Sequence, residues 1–163
     1  MRAVILSLDT GAYKAKADVA AAASLKRMLE QVGIEVRAAK AFPEDKEMLK
    51  TVLCKLADAE MVELVLTTGA VGFLEKHCAP DAVRETADRL LPGIPEALRA
   101  YNLRHTKKVI LDRSEAGIRK KTLMINLPES AKMAKEDLEY ILPEVVQVVA
   151  VSYTHLRAHE TDS

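Results

Sequence analysis

Short, almost unbroken apolar runs alternate along this chain with longer stretches whose apolar residues recur at helical spacing. Ala3–Leu8 and Val62–Thr67 have the pattern of strands buried on both faces. Asp18–Val32 predicts a helix, because it is rich in alanine, begins at a residue that can cap it and precedes Gly33. The alternation is typical of βαβ units around a parallel sheet with helices on both faces.

The other predicted elements complete this α/β pattern within a single domain. Residues 9–16 are expected to form a loop that turns at Gly11, and a strand beginning at Ile34 is expected to stop at Pro43. Further strands are predicted at Lys108–Leu111 and Thr122–Asn126, and further helices at Glu44–Ala59, Pro80–Leu91, Pro95–Asn102, Ala131–Ile141 (capped by Ser130) and Pro143–Val151.

The composition argues against several classes of function. The 163 residues carry 24 basic and 24 acidic side chains, whereas a general binder of nucleic acid or of anionic membranes is normally basic. Only 4% of the residues are aromatic, which argues against a surface that stacks on bases. Cys54 and Cys78 are too few for a disulfide framework, and no apolar run approaches the roughly 20 residues of a membrane span. Because the N-terminal apolar run is also too short for a signal peptide, we expect a cytoplasmic protein.

The last residues, 151–163, differ from the rest of the chain. They are polar and resemble translated sequencing-adapter read-through, so we predict a non-native or disordered tail outside a domain at residues 1–150. His155 and His159 have the spacing of a metal-binding pair on a helix, but nothing nearby in the sequence supplies a third ligand.

Three loops are expected at the carboxyl edge of the sheet, where open α/β proteins bind their ligands: residues 9–16, 43–45 and 67–80. The last loop begins Thr67-Thr68-Gly69-Ala70-Val71-Gly72, a turn that can present backbone N–H groups to a phosphate. A purely structural turn needs glycines as well, so both interpretations stay open.

Two smaller groups also allow both a chemical and a structural interpretation. Glu44 and Asp45 open a predicted helix, where acids either stabilise the helix end or bind Mg²⁺. His77 precedes Cys78, and together they would make a Cys–His nucleophile, although adjacent side chains usually point apart.

Residues 104–121 carry a local excess of positive charge that the neutral total conceals. Such a cluster either binds phosphates or forms the solvated rim of a hairpin. Its basic residues, set against Asp112 and Glu115, are Arg104, Lys107, Lys108, Arg113, Arg119, Lys120 and Lys121.

Several motifs follow one another in an order that one family shares. They are Phe42-Pro43-Glu44-Asp45, Leu64-Val65-Leu66-Thr67-Thr68-Gly69-x-x-Gly72, Ala79-Pro80-Asp81-Ala82, Pro92-Gly93-Ile94, Ala116-Gly117-Ile118-Arg119 and Leu123-Met124-Ile125-Asn126-Leu127-Pro128. From about Arg2 to Ala150 the chain resembles the molybdenum-cofactor biosynthesis proteins with a molybdopterin-binding domain (the MoaB/Mog family), and most of all the molybdopterin adenylyltransferases.

The resemblance implies a three-layer α/β sandwich that commonly forms homotrimers. It also implies a reaction in which the terminal phosphate of molybdopterin attacks the α-phosphorus of ATP, with Mg²⁺ present, and pyrophosphate leaves. The resemblance implies catalytic roles for Glu44, Asp45 and His77. It also implies that Glu44 and Asp45 bind the metal ion. The implied substrate-binding residues are Thr67, Thr68, Gly69, Ala70, Gly72, Arg113, Gly117, Arg119, Asn126, Pro128 and Lys132.

Five residues around the expected pocket depart from the family pattern. Ala70 and Val71 replace the middle of a Gly-Gly-Thr-Gly turn, and His77 stands in the place of an aspartate. Ala79 replaces a threonine, and Glu129 replaces a glycine. These changes keep two alternatives open beside adenylyl transfer: a catalytically degenerate module for ligand binding or assembly, and a different phosphate chemistry at His77.

Overall fold

The computed structural model describes the backbone of residues 1–162 and the side chains of residues 1–154. Its strands are β1 (Arg2–Leu8), β2 (Glu35–Phe42), β3 (Leu64–Thr68), β4 (Arg89–Leu90), β5 (Ala116–Arg119) and β6 (Thr122–Leu127). Its helices are α1 (Thr10–Ala15), α2 (Ala20–Gln31), α3 (Lys46–Asp58), α4 (Ala79–Thr86), α5 (Gly93–Leu103) and α6 (Ala131–Asp162), with a short 3₁₀ helix at Lys107–Leu111.

One sheet carries all six strands, in the order β2-β1-β3-β6-β5-β4. β1 lies parallel to both β2 and β3, and β3 lies parallel to β6. β5 and β4 then extend the sheet as antiparallel strands. The predicted α/β fold with a mostly parallel central sheet is therefore confirmed, and the carboxyl ends of β1, β2, β3 and β6 meet at one edge.

The core has two parts because successive side chains of a buried strand point to opposite faces of the sheet. Ile5 and Leu66 pack on one face with residues of α2, α5 and α6. Leu6 and Val65 pack on the other face with residues of α3 and α4. Helices thus cover both faces, which makes the domain a three-layer sandwich.

Three local predictions are wrong. Residues 9–16 are largely helical, because the Asp9 carboxylate accepts a hydrogen bond from the Ala12 N–H (2.9 Å) and caps α1. α2 begins after Val19 with no side-chain cap, so Asp18 does not perform that role. The apolar residues at 107–111 form the 3₁₀ helix instead of a strand, and Ile110 is 74% exposed because this segment lies outside the sheet.

Three further boundaries also differ. The helix predicted to reach Leu91 ends at Thr86, and the short β4 follows it. The charged connection before β6 contains β5, which completes a hairpin. The two helices predicted after Ser130 are one helix with Pro143 inside it, because Ile141 and Val145 on either side of the proline are both buried in the core.

The tail at 151–163 stays a prediction, since its sequence origin is not a structural property. The side chains of His155 and His159 and the whole of Ser163 lie outside the described residues. Within the described part of the chain, no helix combines the length and the apolar character needed to cross a bilayer.

Candidate functional site

The loop at residues 67–80 leaves the carboxyl end of β3 through two residues with positive φ, Gly69 at +82° and Ala70 at +57°. A Cβ on Gly69 would lie 3.1 Å from the Leu8 carbonyl oxygen, so a glycine is needed there. The left-handed conformation costs a non-glycine residue about 1–2 kcal/mol, and Ala70 therefore carries strain in this turn.

The backbone amides of the turn are not equally available to an anion. The Gly69 N–H donates to the Leu127 carbonyl (3.0 Å), which ties the turn to β6. The next amides, those of Ala70, Val71 and Gly72, meet no acceptor among the described residues. An anion cradle would therefore begin at Ala70, one residue later than the glycine motif suggests.

His77 braces the tip of this loop. Its ring Nδ1 accepts a hydrogen bond from the Leu74 N–H (3.1 Å), and the His77 backbone N–H donates to the Leu74 carbonyl (2.9 Å). The ring lies so close to Gly72 that a Cβ there would be 2.6 Å from Nδ1. The neutral ring therefore carries its proton on Nε2, the nitrogen left for any other partner.

Arg113 links the 67–80 loop to α4. Its guanidinium donates to the Asp81 carboxylate (2.8 Å) and reaches the carbonyls of Gly72 and His77, each at 3.5 Å. Partial burial opposes ionisation of Asp81, but the neighbouring Arg113 and Arg84 lower its pKa. Arg113 is thus committed to the protein, whereas Lys132, on the first turn of α6, is exposed.

Glu44 and Asp45 lie beside the start of α1, at the same edge of the sheet. The Glu44 carboxylate accepts from the Thr10 N–H (3.3 Å), and the Glu44 N–H donates to the Thr10 hydroxyl (2.9 Å). Asp45 caps α3 by accepting from the Met48 N–H (3.0 Å). Each carboxylate keeps one oxygen without a hydrogen bond from the described residues. No cluster of three or more potential ligands from His, Cys, Asp and Glu forms in the described part of the chain.

The Cys–His nucleophile considered from the sequence is not supported. Cys78, within the 67–80 loop, is buried. Burial raises the pKa of its thiol to about 11, and the carboxylates of Glu44 and Asp45 act in the same direction. A thiol with such a pKa is protonated at neutral pH and is a poor nucleophile.

A cavity of about 470 Å³ opens between the 67–80 loop, α5, the 3₁₀ helix and the start of α6. This volume is within the range of small-molecule sites. It is lined by four of the predicted site residues, Gly72, His77, Asn126 and Pro128. The other lining residues are Val71, Phe73, Leu98, Arg99, Asn102, Thr106, Lys108, Val109, Leu111, Asp112, Ser114, Met133 and Asp137.

Most polar groups on the cavity wall satisfy one another. The Asn126 amide donates to the Thr67 hydroxyl (2.8 Å) and accepts from the Glu115 N–H (3.0 Å), joining β3 to β6. Arg99 donates to the Asp112 carboxylate (3.1 Å), which also accepts from the Ser114 hydroxyl (2.7 Å). These bonds rigidify the wall and hold Asn126 in place.

Asn102 and Asp137 are the exception. Asn102 is 4% exposed and Asp137 is 1% exposed. The Asn102 Nδ2 donates to both Asp137 oxygens, at 2.9 and 3.1 Å, while its Oδ1 has no partner among the described residues. Burial, with a smaller contribution from the nearby carboxylates of Asp112 and Glu136, raises the pKa of Asp137 to about 6 despite this bond.

Sequence reasoning missed this pair, although a signal was present. Leu98 and Asn102 share one side of α5 at a spacing of four, and Asp137 falls between Ala134 and Leu138 in the apolar stripe of α6. A polar residue in an apolar stripe predicts a buried polar group, which needs a partner.

Two predicted substrate-binding residues lie away from this edge. Arg119 ends β5 opposite Thr122, the first residue of β6, and donates to Asp58 at 2.9 and 3.0 Å. A Cβ on Gly117 would lie 2.7 Å from Ala87 Cβ, so this glycine lets α4 approach the sheet. The basic residues at 104–121 thus divide between two edges of the sheet, and those at 119–121 form the hairpin rim.

Comparison with known proteins adds a family to this geometry. Residues 4–147 match a family model described as a probable molybdopterin binding domain. That segment spans the 67–80 loop, the cavity and most of the sheet. The chain belongs to this family.

Relatives within the molybdopterin-binding-domain family include two bacterial molybdopterin adenylyltransferases. The one from Escherichia coli is 39% identical over 98 residues, 60% of this chain and 50% of that protein. The one from Helicobacter pylori (strain J99) is 34% identical over 102 residues, 63% of this chain and 58% of that protein. The matched stretch covers less than two thirds of either relative.

Solved structures agree with the family assignment. The molybdopterin biosynthesis enzyme MoaB from Thermus thermophilus is similar with a TM-score of 0.79 and 34% identity, over 91% of this chain and 96% of that one. A molybdopterin biosynthesis protein from Mycobacterium abscessus has a TM-score of 0.81 at 24% identity over 98% of both chains, a likeness that concerns the fold alone.

Proposed function

We propose that this protein acts in molybdenum-cofactor biosynthesis, binds molybdopterin at the carboxyl edge of its sheet and transfers the adenylyl group of ATP to it. The observation that carries the proposal is the cavity beside the open amides of the 67–80 loop, in a chain of the molybdopterin-binding-domain family. The names of the relatives from E. coli and H. pylori support the reaction.

The proposed reaction makes one bond and breaks one bond. A phosphate oxygen of molybdopterin bonds to the α-phosphorus of ATP, while the bond to the β-phosphate oxygen breaks and pyrophosphate leaves. The amides of Ala70, Val71 and Gly72 would bind phosphate oxygens, and exposed Lys132 would offset their charge. The neighbouring cavity would orient the pterin, so that phosphate and nucleotide meet at a fixed distance.

Glu44 and Asp45 fit a magnesium ion. Mg²⁺ is usually held by one or two carboxylates together with water and substrate phosphates, and each of these acids has an oxygen free of hydrogen bonds among the described residues. When bound, Mg²⁺ neutralises charge on the phosphates. Glu44 and Asp45 themselves stay fixed by their bonds to Thr10 and Met48.

The degenerate binding module remains a second candidate, which one observation favours. His77 takes the place of a family aspartate, and its Nδ1 is already engaged with the Leu74 N–H. A histidine in this role braces the loop and supplies no carboxylate for a cation. A protein of this kind would bind molybdopterin without turning over ATP.

Pyrophosphate release from molybdopterin and ATP with Mg²⁺ tests the proposal. The informative variants are Glu44→Gln and Asp45→Asn, since glutamine keeps the acceptor for Thr10 and asparagine keeps the helix cap. We expect the double variant to lose about 100-fold or more in turnover. Glu47→Gln, on the exposed first turn of α3, is the matched control and should match the wild type.

The outcomes separate the candidates. Turnover in the wild type that falls in the double variant supports adenylyl transfer. Binding of molybdopterin with no release of pyrophosphate supports the binding module. Absence of both overturns the role in molybdenum-cofactor biosynthesis. Turnover that survives both substitutions, and falls only with His77→Ala, would assign the chemistry to His77.

We further propose the homotrimer that the family resemblance implies. Sedimentation equilibrium of the full chain tests it directly. We expect a single species with three times the mass of one chain, which is 17.9 kDa. A monomer or dimer at all concentrations would contradict the trimer.

A further inference from the structure

The wall of the cavity includes two polar side chains that lie outside the family motifs. Asn102 comes from α5 and Asp137 from α6, and both line the cavity while being almost fully buried. Their bond to each other, from Nδ2 to the two carboxylate oxygens, joins the two helices at the cavity wall.

The pair lacks donors for its acceptors. The Asn102 Oδ1 has no partner, and the Asp137 carboxylate forms no ion pair with a described cation. A carboxylate offers about four acceptor sites, and Asn102 fills only two of them. Arg99, an arginine on the same wall, is engaged by Asp112 and by the Ser114 carbonyl. The cavity therefore presents acceptors that a ligand must satisfy.

A planar group with two adjacent N–H donors would complete this set of acceptors. A carboxylate binds such a group through two parallel hydrogen bonds. The amide oxygen of Asn102 beside it is a third acceptor. A hydroxyl has a single donor and would leave part of this set unsatisfied. Apolar residues on the wall such as Val71, Leu98 and Val109 suit a flat ring.

We propose that Asp137 and Asn102 recognise the amino-imide edge of a 2-amino-4-oxopyrimidine ring, as carried by a pterin, and so determine specificity for the ring of the substrate. This inference rests on the proposed function, because it assigns the pterin end of molybdopterin to the cavity. The same edge occurs in guanine, so the experiment must separate the two sources.

Ring analogues test the recognition without any turnover. The full chain is titrated with 6-hydroxymethylpterin, with its 2-oxo counterpart 6-hydroxymethyllumazine, and with guanosine, and each dissociation constant is measured by calorimetry. The lumazine replaces the 2-amino donor by an oxygen. We expect the wild type to bind the pterin about 10- to 100-fold more tightly than the lumazine, and more tightly than guanosine.

Asp137→Asn should abolish this preference while keeping the fold. An asparagine at 137 can accept from the Asn102 Nδ2 and donate to its orphaned Oδ1, so the pair becomes self-satisfied. The ratio of pterin to lumazine affinity should then fall to about one. Glu139→Gln, on the exposed side of α6, makes the same chemical change outside the cavity and should keep the ratio of the wild type.

The results that overturn the inference are equally concrete. Equal binding of pterin and lumazine by the wild type would do so, even if Asp137→Asn failed to fold. So would a preference that persists in Asp137→Asn, absence of binding by any probe, or tighter binding of guanosine. Turnover of molybdopterin by the same wild-type sample would show that the proposed function stands where this inference fails.

Discussion

Polar side chains on the two sides of the 67–80 loop differ in how completely hydrogen bonds within the protein satisfy them. On the acidic side, which we define as Asp9, Thr10, Glu44 and Asp45, each side chain has a local hydrogen bond. In the cavity, Asn102 keeps an acceptor without a partner. The acidic side carries the motif that the sequence makes visible, whereas the cavity carries the groups that local structure does not explain.

This difference affects how each side points to a ligand. An acid that caps a helix or joins two loops contributes to stability by itself, so its presence is no proof of a metal. A buried polar atom without a partner costs about 1–3 kcal/mol, and folding gains nothing from it. The cavity therefore gives the stronger indication of a bound molecule, although Asn102 and Asp137 lie outside every family motif.

The largest effect should come from the pH dependence of Asp137. Its pKa rises from 3.8 to about 6 in the folded protein, so the native state binds a proton more tightly than the unfolded chain and stability falls as pH rises between these values. The rise corresponds to about 3 kcal/mol. In Asp137→Asn this loss is absent, and the variant should become more stable relative to wild type by that amount from about pH 4 to pH 7.

Urea unfolding of both proteins across this pH range measures the effect. The difference between the two free energies of unfolding isolates Asp137, because the other titrating groups are shared. Glu139→Gln, which removes an exposed carboxyl from the same helix, is the control. A free-energy difference between Asp137→Asn and wild type that does not change with pH would mean that the Asp137 carboxyl is not held in a poor environment, and would weaken the contrast between the two sides of the loop.

The sequence was sufficient for the layers and the parallel strands of the sheet, because burial on two faces and helical spacing are local patterns. It failed where tertiary contacts override local preference. Pro143 stays inside α6 because the helix packs along the core. β5 lies in a charged segment without a strand pattern, and it forms because it pairs with β6. Short β4 carries no periodicity of its own.

The candidate site was predictable only in part, for a related reason. The turn at Gly69 follows from a motif, and the structure gives this glycine a φ of +82°. Arg113 and Arg119 look alike in the sequence, but one braces the loop and the other pairs with Asp58 at the opposite edge. Asn102 and Asp137 lie 35 residues apart, and only the packing of α5 on α6 brings them together.

A smaller effect is expected at Gly117, a glycine that is required for packing and lies away from the cavity. A Cβ there would lie 2.7 Å from Ala87 Cβ and 2.9 Å from the Arg89 carbonyl oxygen. Gly117→Ala should destabilise the protein by about 1–3 kcal/mol, since neither neighbour can move without shifting backbone. Thermal unfolding measures this cost.

Gly93→Ala is the matched control, because nothing lies within 4 Å of the position of its Cβ. The dissociation constant for 6-hydroxymethylpterin should be unchanged in Gly117→Ala at a temperature where the variant is folded. Weakened pterin binding by the folded variant would return Gly117 to the substrate-binding residues and contradict its separation from the cavity.

The smallest effect concerns the brace between Gly72 and His77 at the loop tip. Gly72→Ala places a Cβ 2.6 Å from the His77 Nδ1 in the present arrangement, so the ring must leave and its bond to the Leu74 N–H is lost. The cost should be about 1 kcal/mol, the net value of one hydrogen bond.

His77→Ala should cost a similar amount, and the double variant little more than either single one, because both remove the same bond. Unfolding free energies of the four proteins form the cycle that measures this coupling. Additive costs would show that the ring and the glycine act separately, and that His77 is free for chemistry on the cavity side.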